Sequence, residues 1–154
     1  MKALAAVNIR QYERAVESLK DYNRTVELGL QAVLRDRPHF MVGARSASMD
    51  RLGAVIFGTD QGMAGALNEQ VLSHALSTME SLGVKAEDRS IMVVGERLAA
   101  LLEDAGQPVE RSSLVPSSVS GITPKVQDTL IKIESWNQEK ELDHIYLFYS
   151  MQTS

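Results

Sequence analysis

Apolar residues recur along the first part of the chain at the spacing of a helix. Successive positions follow at alternating steps of three and four residues: Tyr12, Ala15, Leu19, Tyr22, Val26, Gly29 and Val33. Charged residues fill the intervening positions, as the solvated side of a helix requires. Pro38 ends the pattern, because the residue before a proline is pushed out of the helical region. The pattern predicts one long helix over residues 1–37 with a heptad-like apolar seam.

This helix is too long for the rest of the chain to cover. About 36 residues at 1.5 Å per residue span roughly 54 Å, whereas the remaining residues, about 115 of them, pack into a body some 30 to 35 Å across. No second helical pattern of comparable length follows. We therefore expect the helix to protrude and to pair as a coiled coil with a helix from outside this chain. The alternative is that the whole seam lies across its own domain.

Short apolar runs alternate with amphipathic stretches over residues 53–154, and residues 38–52 read as the connection to them. The runs predict strands at 54–57, 91–94, 109–115 and 145–149. Helical patterns lie between them; the second ends at Gly106, and the third begins with Thr123 as its cap. This alternation is typical of a parallel sheet with crossover helices. We predict an α/β fold, a Rossmann-like, open and mainly parallel sheet with helices on both faces.

Composition narrows the classes of function. The 154 residues suffice for one domain, and a formal net charge of -4 lacks the basic excess of a nucleic-acid binder. We therefore expect no nucleic-acid partner. The chain contains no cysteine, which excludes disulfides, thiolate metal sites and thiol nucleophiles. No apolar run reaches the roughly 18 residues of a membrane span, so we expect no direct membrane insertion.

The loop after the first predicted strand is where a Rossmann-like sheet would bind a nucleotide. Residues 58–68 read Gly-Thr-Asp-Gln-Gly-Met-Ala-Gly-Ala-Leu-Asn, which lacks both the three-glycine dinucleotide spacing and a Walker loop. A carboxylate from Asp60 would also repel a phosphate unless a metal intervened. The structural interpretation is that Gly62 and Gly65 supply tight backbone geometry while Asp60 caps turn or helix amides. The alternative is a small nucleotide- or cofactor-binding module.

The remaining candidates for chemistry do not form a site. His39, His74 and His144 are isolated, and no pair has the i, i+4 spacing that places two metal ligands on one helical face. The serines of residues 112–120 lack a Gly-x-Ser-x-Gly context. We therefore predict no catalytic residue, no cofactor and no metal, and a chain that is not an enzyme.

Two motifs resemble the gamma subunits of rotary ATP synthases. Residues 1–10, Met-Lys-Ala-Leu-Ala-Ala-Val-Asn-Ile-Arg, are similar to a stretch of that family's N-terminal helix that reads Met-Lys-x-Val-Ala-Ala-x-Lys-Leu-Arg. Residues 59–68 resemble the family's Ser-Asp-Arg-Gly-Leu-Cys-Gly-Gly-x-Asn motif. Similarities at residues 93–95 and 145–149 extend the resemblance over essentially the whole chain. A divergent branch is suggested by departures from the family pattern at Asn8, Gln61, Ala66 and Glu96.

The resemblance implies a mechanical function. In that family the N-terminal helix winds around a C-terminal helix, which has no counterpart here, and the pair forms a shaft inside a ring of alternating alpha and beta subunits. The α/β domain is the foot, which contacts the epsilon subunit and the membrane rotor ring. We therefore expect a non-catalytic central-stalk subunit on the cytoplasmic face of the cell membrane, which couples ion flow through the ring to ATP synthesis or hydrolysis. Rotation of an asymmetric shaft would bias the nucleotide affinities of the catalytic subunits in turn. Both ends of the chain are interpreted as fragment boundaries.

The predicted partner interface has two parts. On the long helix it comprises Met1, Lys2, Leu4, Ala5, Ile9, Arg10, Tyr12, Ala15, Leu19, Tyr22 and Val26. In the loop after the first strand it comprises Thr59, Asp60, Gln61 and Gly62. A nucleotide- or cofactor-binding module and a free-standing adaptor with a coiled-coil handle are the two alternatives from other functional classes.

Overall fold

A computed structural model describes residues 2–36, 51–62, 64 and 66–151 of the chain. The chain divides into two compact units, residues 1–47 with 118–122 and residues 48–117 with 123–154. The first unit contains helix α1, Lys2–Asp36, and a short 3₁₀ turn, Val119–Gly121. Most of the predicted connection at 38–52 lies outside the described residues. No helix in the described part of the chain is long and apolar enough to cross a membrane.

The second unit is built on a parallel sheet of four strands: β1 Leu52–Phe57, β2 Arg89–Val94, β3 Arg111–Ser113 and β4 His144–Phe148. Their order in the sheet is β3-β2-β1-β4, and each neighbouring pair is parallel. In the register, Val55 of β1 stands opposite Met92 on one side and Leu147 on the other. The prediction of a mainly parallel α/β sheet is confirmed.

Three helices accompany these strands: α2 Leu67–Ser81, α3 Glu96–Asp104 and α4 Ile122–Lys140, and a 3₁₀ turn, Ala86–Asp88, precedes β2. Gly106 follows α3 with a φ of 73°, as predicted for a residue that ends a helix. The prediction that Thr123 caps the last helix was wrong. The turn at Val119–Gly121 immediately precedes Ile122, so the first turn of α4 already includes Thr123 and Pro124. Proline is tolerated there because first-turn amides have no helical acceptor.

Side chains alternate between the two faces of the sheet, as the pleat requires. One face carries Leu52, Ala54, Ile56, Ile91, Val93 and Phe148, which pack with Val71, Ala75 and Met79 of α2 and with Leu98, Ala99 and Leu102 of α3. The other face carries Val55 and Met92, which pack with the fully buried Trp136 of α4. Helices therefore cover both faces, and Ile91, Met92, Val93 and Val94 are all buried because a central parallel strand is enclosed on both sides.

All four strands end at the same edge of the sheet because they run parallel. The loops that follow β1, β2 and β3 therefore come together at that carboxyl edge, although they are far apart in sequence. β4 lies beside β1 on the side away from β2, so the strand order reverses direction between β1 and β4. In open α/β sheets this edge is where functional residues gather.

Candidate functional site

Asp60 joins three loops at the carboxyl edge of the sheet. Its Oδ1 accepts a hydrogen bond from the Glu96 amide at the start of α3, with a distance of 2.9 Å. Its carboxylate also accepts from the Val115 amide beyond β3, at 3.1 Å to Oδ2 and 3.3 Å to Oδ1. Helix α3 has no other side-chain cap at its first residue, so Asp60 supplies the acceptor from a different loop. The prediction that Asp60 caps helix amides is confirmed.

Asn68 holds the same loop from the other side. Its side chain, in the first turn of α2, is buried, with only 3% of the residue exposed. Oδ1 accepts from the Thr59 amide at 3.0 Å, and Nδ2 donates to the Thr59 hydroxyl at 2.8 Å. That hydroxyl in turn donates to the carbonyl oxygen of Gln61 at 2.8 Å. Our sequence-based interface did not include Asn68, although it is the last residue of the motif at 59–68.

The ends of β1 and β2 approach each other through two glycines. The Gly58 amide donates to the Val94 carbonyl oxygen at 2.8 Å. Gly95 has a φ of 126°, and a Cβ atom there would lie 2.7 Å from the Gly58 carbonyl carbon and 2.8 Å from the Thr59 nitrogen. A Cβ at Gly58 would lie 2.6 Å from Cβ of Leu98. Both positions therefore require glycine.

The prediction that Gly62 supplies tight backbone geometry was wrong. A Cβ atom at Gly62 would meet only Nε of Arg97 at 3.8 Å, which is an ordinary contact. Gly62 is also absent from the described glycines with positive φ, which are Gly83, Gly95 and Gly106. The close approach lies instead at Gly58 and Gly95, where two strands end side by side. Gly65, the other glycine in that prediction, lies outside the described residues.

The four predicted loop residues lie together at this edge, but they do not play the same part. Thr59 and Asp60 are half-buried and are committed to bonds within the domain. Gln61 and Gly62 are exposed at the tip of the loop. A partner protein can therefore reach Gln61 and Gly62, whereas Asp60 faces inward.

The chemistry of this edge does not favour a nucleotide. Asp60 places a carboxylate at the start of α3, where a helix N-terminus would otherwise attract an anion. A phosphate entering the crevice would be repelled by that charge. The described residues contain no group of three or more His, Asp or Glu that could hold a metal ion to offset it.

Helix α1 carries the other part of the predicted interface. Three seam residues are exposed, Leu19 by 51%, Tyr22 by 69% and Val26 by 45%, and Tyr12 and Ala15 are half-buried. Ile9 and Arg10 are exposed as well. Met1 lies outside the described residues, as do the side chains of Lys2, Leu4 and Ala5. In all, the described part of α1 exposes seven large apolar side chains: Val7, Ile9, Val16, Leu19, Tyr22, Val26 and Leu28.

Comparison with known proteins gives a consistent result. The family model described as ATP synthase matches residues 1–154. The ATP synthase gamma chain of Nitrosospira multiformis is 22% identical over 153 residues, which cover 97% of this chain and 52% of that protein. The ATP synthase gamma chain of Staphylococcus saprophyticus is 24% identical over 154 residues, with the same coverage of 97% and 52%. The chain belongs to the ATP synthase gamma-chain family. It spans about half the length of the curated gamma chains that it matches.

Membership of the gamma-chain family confirms the resemblance drawn from residues 1–10 and 59–68. The low identity agrees with the departures from the family pattern at Gln61 and Glu96. The departure at Glu96 leaves the Asp60 contact intact, because Asp60 binds the backbone amide of that residue. A side-chain change at position 96 therefore does not remove the hydrogen bond.

Proposed function

We propose that this chain is a non-catalytic central-stalk gamma subunit of a rotary ATP synthase. In this function it couples ion flow through a membrane ring to ATP synthesis or hydrolysis in the catalytic head. Membership of the gamma-chain family supports the proposal. The observation that carries it is the apolar surface of α1. A protein ring around the shaft would cover this surface, whereas in a free-standing helix it would stay in contact with water.

The apolar side chains of α1 are too many for an isolated surface helix. Complete burial of one such side chain stabilises a protein by about 1.5 to 3 kcal/mol, and because these side chains are already about half buried, their exposure forgoes roughly half of that energy for each of them. Leu19, Tyr22 and Val26 share the seam, which suits a coiled-coil partner. Leu28 lies two residues beyond Val26 and so projects from the opposite side of the helix. A shaft enclosed on several sides accounts for both directions.

The proposal assigns a part of the machine to each segment. The shaft contains residues 1–37, which form half of its coiled coil and protrude into the head. The foot is formed by residues 53–154, and residues 38–52 connect the two. The alpha and beta subunits of the head surround the shaft, and the epsilon subunit and the rotor ring bind the foot. The chain then acts at the cytoplasmic face of the cell membrane as a peripheral member of the complex.

Purification of the complex tests this assignment. An affinity tag on the chain in its own organism, followed by membrane solubilisation and mass spectrometry, is expected to recover the alpha, beta and epsilon subunits in fixed ratio. After reconstitution of the purified complex into sealed vesicles, ATP hydrolysis would then drive ion pumping. Recovery of the tagged chain without any catalytic subunit would contradict the proposal.

Substitutions on α1 test the observation that carries it. Leu19→Gln and Tyr22→Gln together are expected to lower the yield of assembled complex, because they remove apolar contacts from the seam. Arg24→Gln is the matched control, since Arg24 is exposed on the side of α1 away from the seam and its replacement removes no apolar contact. Equal assembly of all three proteins would show that the seam does not bind a partner.

A further inference from the structure

We propose that Asp60 is a positioning residue of the rotor, which fixes the loops at the carboxyl edge of the foot so that they move as one body. This inference rests on the proposed central-stalk function, because it concerns how the foot transmits force between partners. It assigns Asp60 no contact with a partner. Its effect passes through the exposed neighbours that it holds in place.

The geometry gives Asp60 a role that its neighbours cannot fill. Each of the loops after β1, β2 and β3 is joined to the sheet through its own strand. Among the described residues, the Asp60 carboxylate is the side-chain group that binds both the Glu96 amide, 36 residues away, and the Val115 amide, 55 residues away. The Thr59 carbonyl oxygen adds one bond to the Arg97 amide at 3.0 Å, but nothing from that residue reaches β3.

The residues next to these anchor points are exposed. Gln61 and Gly62 directly follow Asp60, and Leu114, which is 56% exposed, directly precedes Val115. The Asp60–Val115 bond therefore sets the separation between the tip of the first loop and Leu114. These exposed positions offer one polar amide, bare backbone and one apolar side chain, and the exposed Arg97 lies beside Gly62, with its Nε 3.8 Å from where a Cβ atom at Gly62 would be. A mixture of polar, apolar and charged groups of this kind suits a protein partner.

Loss of the carboxylate would release the loop beyond β3, at Val115, from the loop after β1, although the bond from the Gly95 amide to the Ser113 carbonyl oxygen at 2.8 Å still joins the ends of β2 and β3. Force applied by a partner at Gln61 or Leu114 would then displace a loop instead of turning the whole foot. Asn68 and the two glycines keep the first loop against β2, so the domain itself remains folded. We therefore expect a defect in coupling without loss of the chain from the complex.

Two measurements on the synthase complex that contains this chain test the inference. Hydrogen exchange is expected to show that Asp60→Ala lowers the protection of the Glu96 and Val115 amides by at least about tenfold, since bonds to a charged acceptor are lost. Asp60→Asn keeps one acceptor oxygen and should give a smaller loss. When the same complexes are reconstituted into sealed vesicles, ATP hydrolysis persists while the number of ions pumped per ATP falls from wild type to Asp60→Asn and further to Asp60→Ala.

Asp143 provides the matched control. Its carboxylate accepts a hydrogen bond from the Arg51 amide at 2.9 Å, at the opposite, amino-terminal edge of the same sheet. Asp143→Ala and Asp143→Asn should lower protection at Arg51 but leave the coupling ratio unchanged. This control distinguishes an effect that is specific to the position of Asp60 from a general effect of removing any hydrogen bond between a carboxylate and a backbone amide.

The outcomes are distinguishable from failure of the central-stalk function. If the wild-type chain does not assemble with catalytic subunits, the proposed function is wrong. If it assembles and Asp60→Ala loses protection at Val115 while coupling stays at the wild-type ratio, the positioning role alone is wrong. An equal coupling defect in the Asp143 variants would overturn it as well. If Asp60→Ala fails to fold, Asp60→Asn, which perturbs the loop less, tests the positioning role through the same two measurements, amide protection and ions pumped per ATP.

Discussion

The indole nitrogen of Trp136 donates a hydrogen bond to Oε2 of Glu110 at 2.9 Å. Trp136 is fully buried and packs against Val55 and Met92 on one face of the sheet, so its one polar atom needs this acceptor. Oε1 of Glu110 accepts from Lys140 at 2.9 Å and from the Ser90 hydroxyl at 3.1 Å. Glu110 therefore ties α4 to the amino-terminal ends of β2 and β3.

Substitution of Glu110 is expected to destabilise the domain. Glu110→Ala leaves the buried Trp136 nitrogen without a partner, which costs about 1 to 3 kcal/mol. Glu110→Gln retains an acceptor oxygen and should cost less. Urea denaturation followed by tryptophan fluorescence measures both values. Glu139→Ala serves as the control, because Glu139 pairs with Arg111 at a more exposed site. A smaller effect for Glu110→Ala than for Glu139→Ala would contradict the prediction.

Stability should also depend on pH through Glu110. Burial raises the pKa of this carboxyl, but hydrogen bonds from Lys140, Trp136 and Ser90 and the charge of Lys140 outweigh it, so the folded pKa lies below the ordinary 4.5. A lowered folded pKa contributes stability above pH 4.5, and that contribution is lost as the pH falls through the folded pKa. The free energy of unfolding should therefore decrease with acidification below pH 4.5. In Glu110→Gln this part of the decrease should disappear, and an unchanged slope would count against it.

Gly95 should tolerate no side chain. Gly95→Ala would place Cβ within 2.8 Å of the Thr59 nitrogen while keeping a φ of 126°, so we expect a cost of roughly 2 to 4 kcal/mol from clash and strain together. Gly106 has a φ of 73°, and a Cβ atom there would meet nothing within 4 Å, so Gly106→Ala should cost only about 1 kcal/mol. Thermal denaturation of the two variants measures the difference. Equal melting temperatures would show that the β1 and β2 ends can separate freely.

Asn68 should be needed for the order of the loop after β1. Asn68→Ala removes two hydrogen bonds to Thr59 from a buried position, with an expected cost of about 1 to 3 kcal/mol. Gln70→Ala is the control, since Gln70 is exposed on the same helix and its replacement changes little. Amide exchange at Thr59 should rise in the first variant and remain unchanged in the second. Unchanged exchange at Thr59 in Asn68→Ala would refute this role.

An apolar groove of about 230 Å³ lies along α4 beside the ends of β1 and β4, lined by Phe57, Lys125, Val126, Thr129, Leu130, Ile133 and Leu147. Val126 is 50% exposed there, whereas Val93 is fully buried in the core. Val126→Thr should therefore change stability by less than about 0.5 kcal/mol, and the isosteric Val93→Thr should cost about 1 to 3 kcal/mol because its hydroxyl is buried. Binding of an apolar dye should decrease in Val126→Thr. A large loss of stability in that variant would mean that the groove is part of the core.

The sequence alone determined the local elements of this protein. Hydrophobic periodicity depends on residues within a few turns of one another, so the strands predicted at 54–57 and 91–94 lie within β1 and β2, and the run at 145–149 coincides with β4 apart from one residue at each end. The strand predicted at 109–115 was too long, because only Arg111–Ser113 pair with β2. The motif at 59–68 was sufficient to indicate the family. The sequence also predicted that Asp60 caps helix amides. Both predictions depend only on residue type and spacing.

Only the tertiary structure decided which loops Asp60 connects and which glycines are indispensable. Those contacts depend on the strand order β3-β2-β1-β4, which no local pattern encodes, since every order places the same apolar residues in the core. The bond from Asp60 to Val115 and the bond from Trp136 to Glu110 both join segments that become neighbours only after the sheet forms. Hydrogen bonds of this kind require a distance within about 3.2 Å and a suitable angle, and chain spacing alone does not specify either.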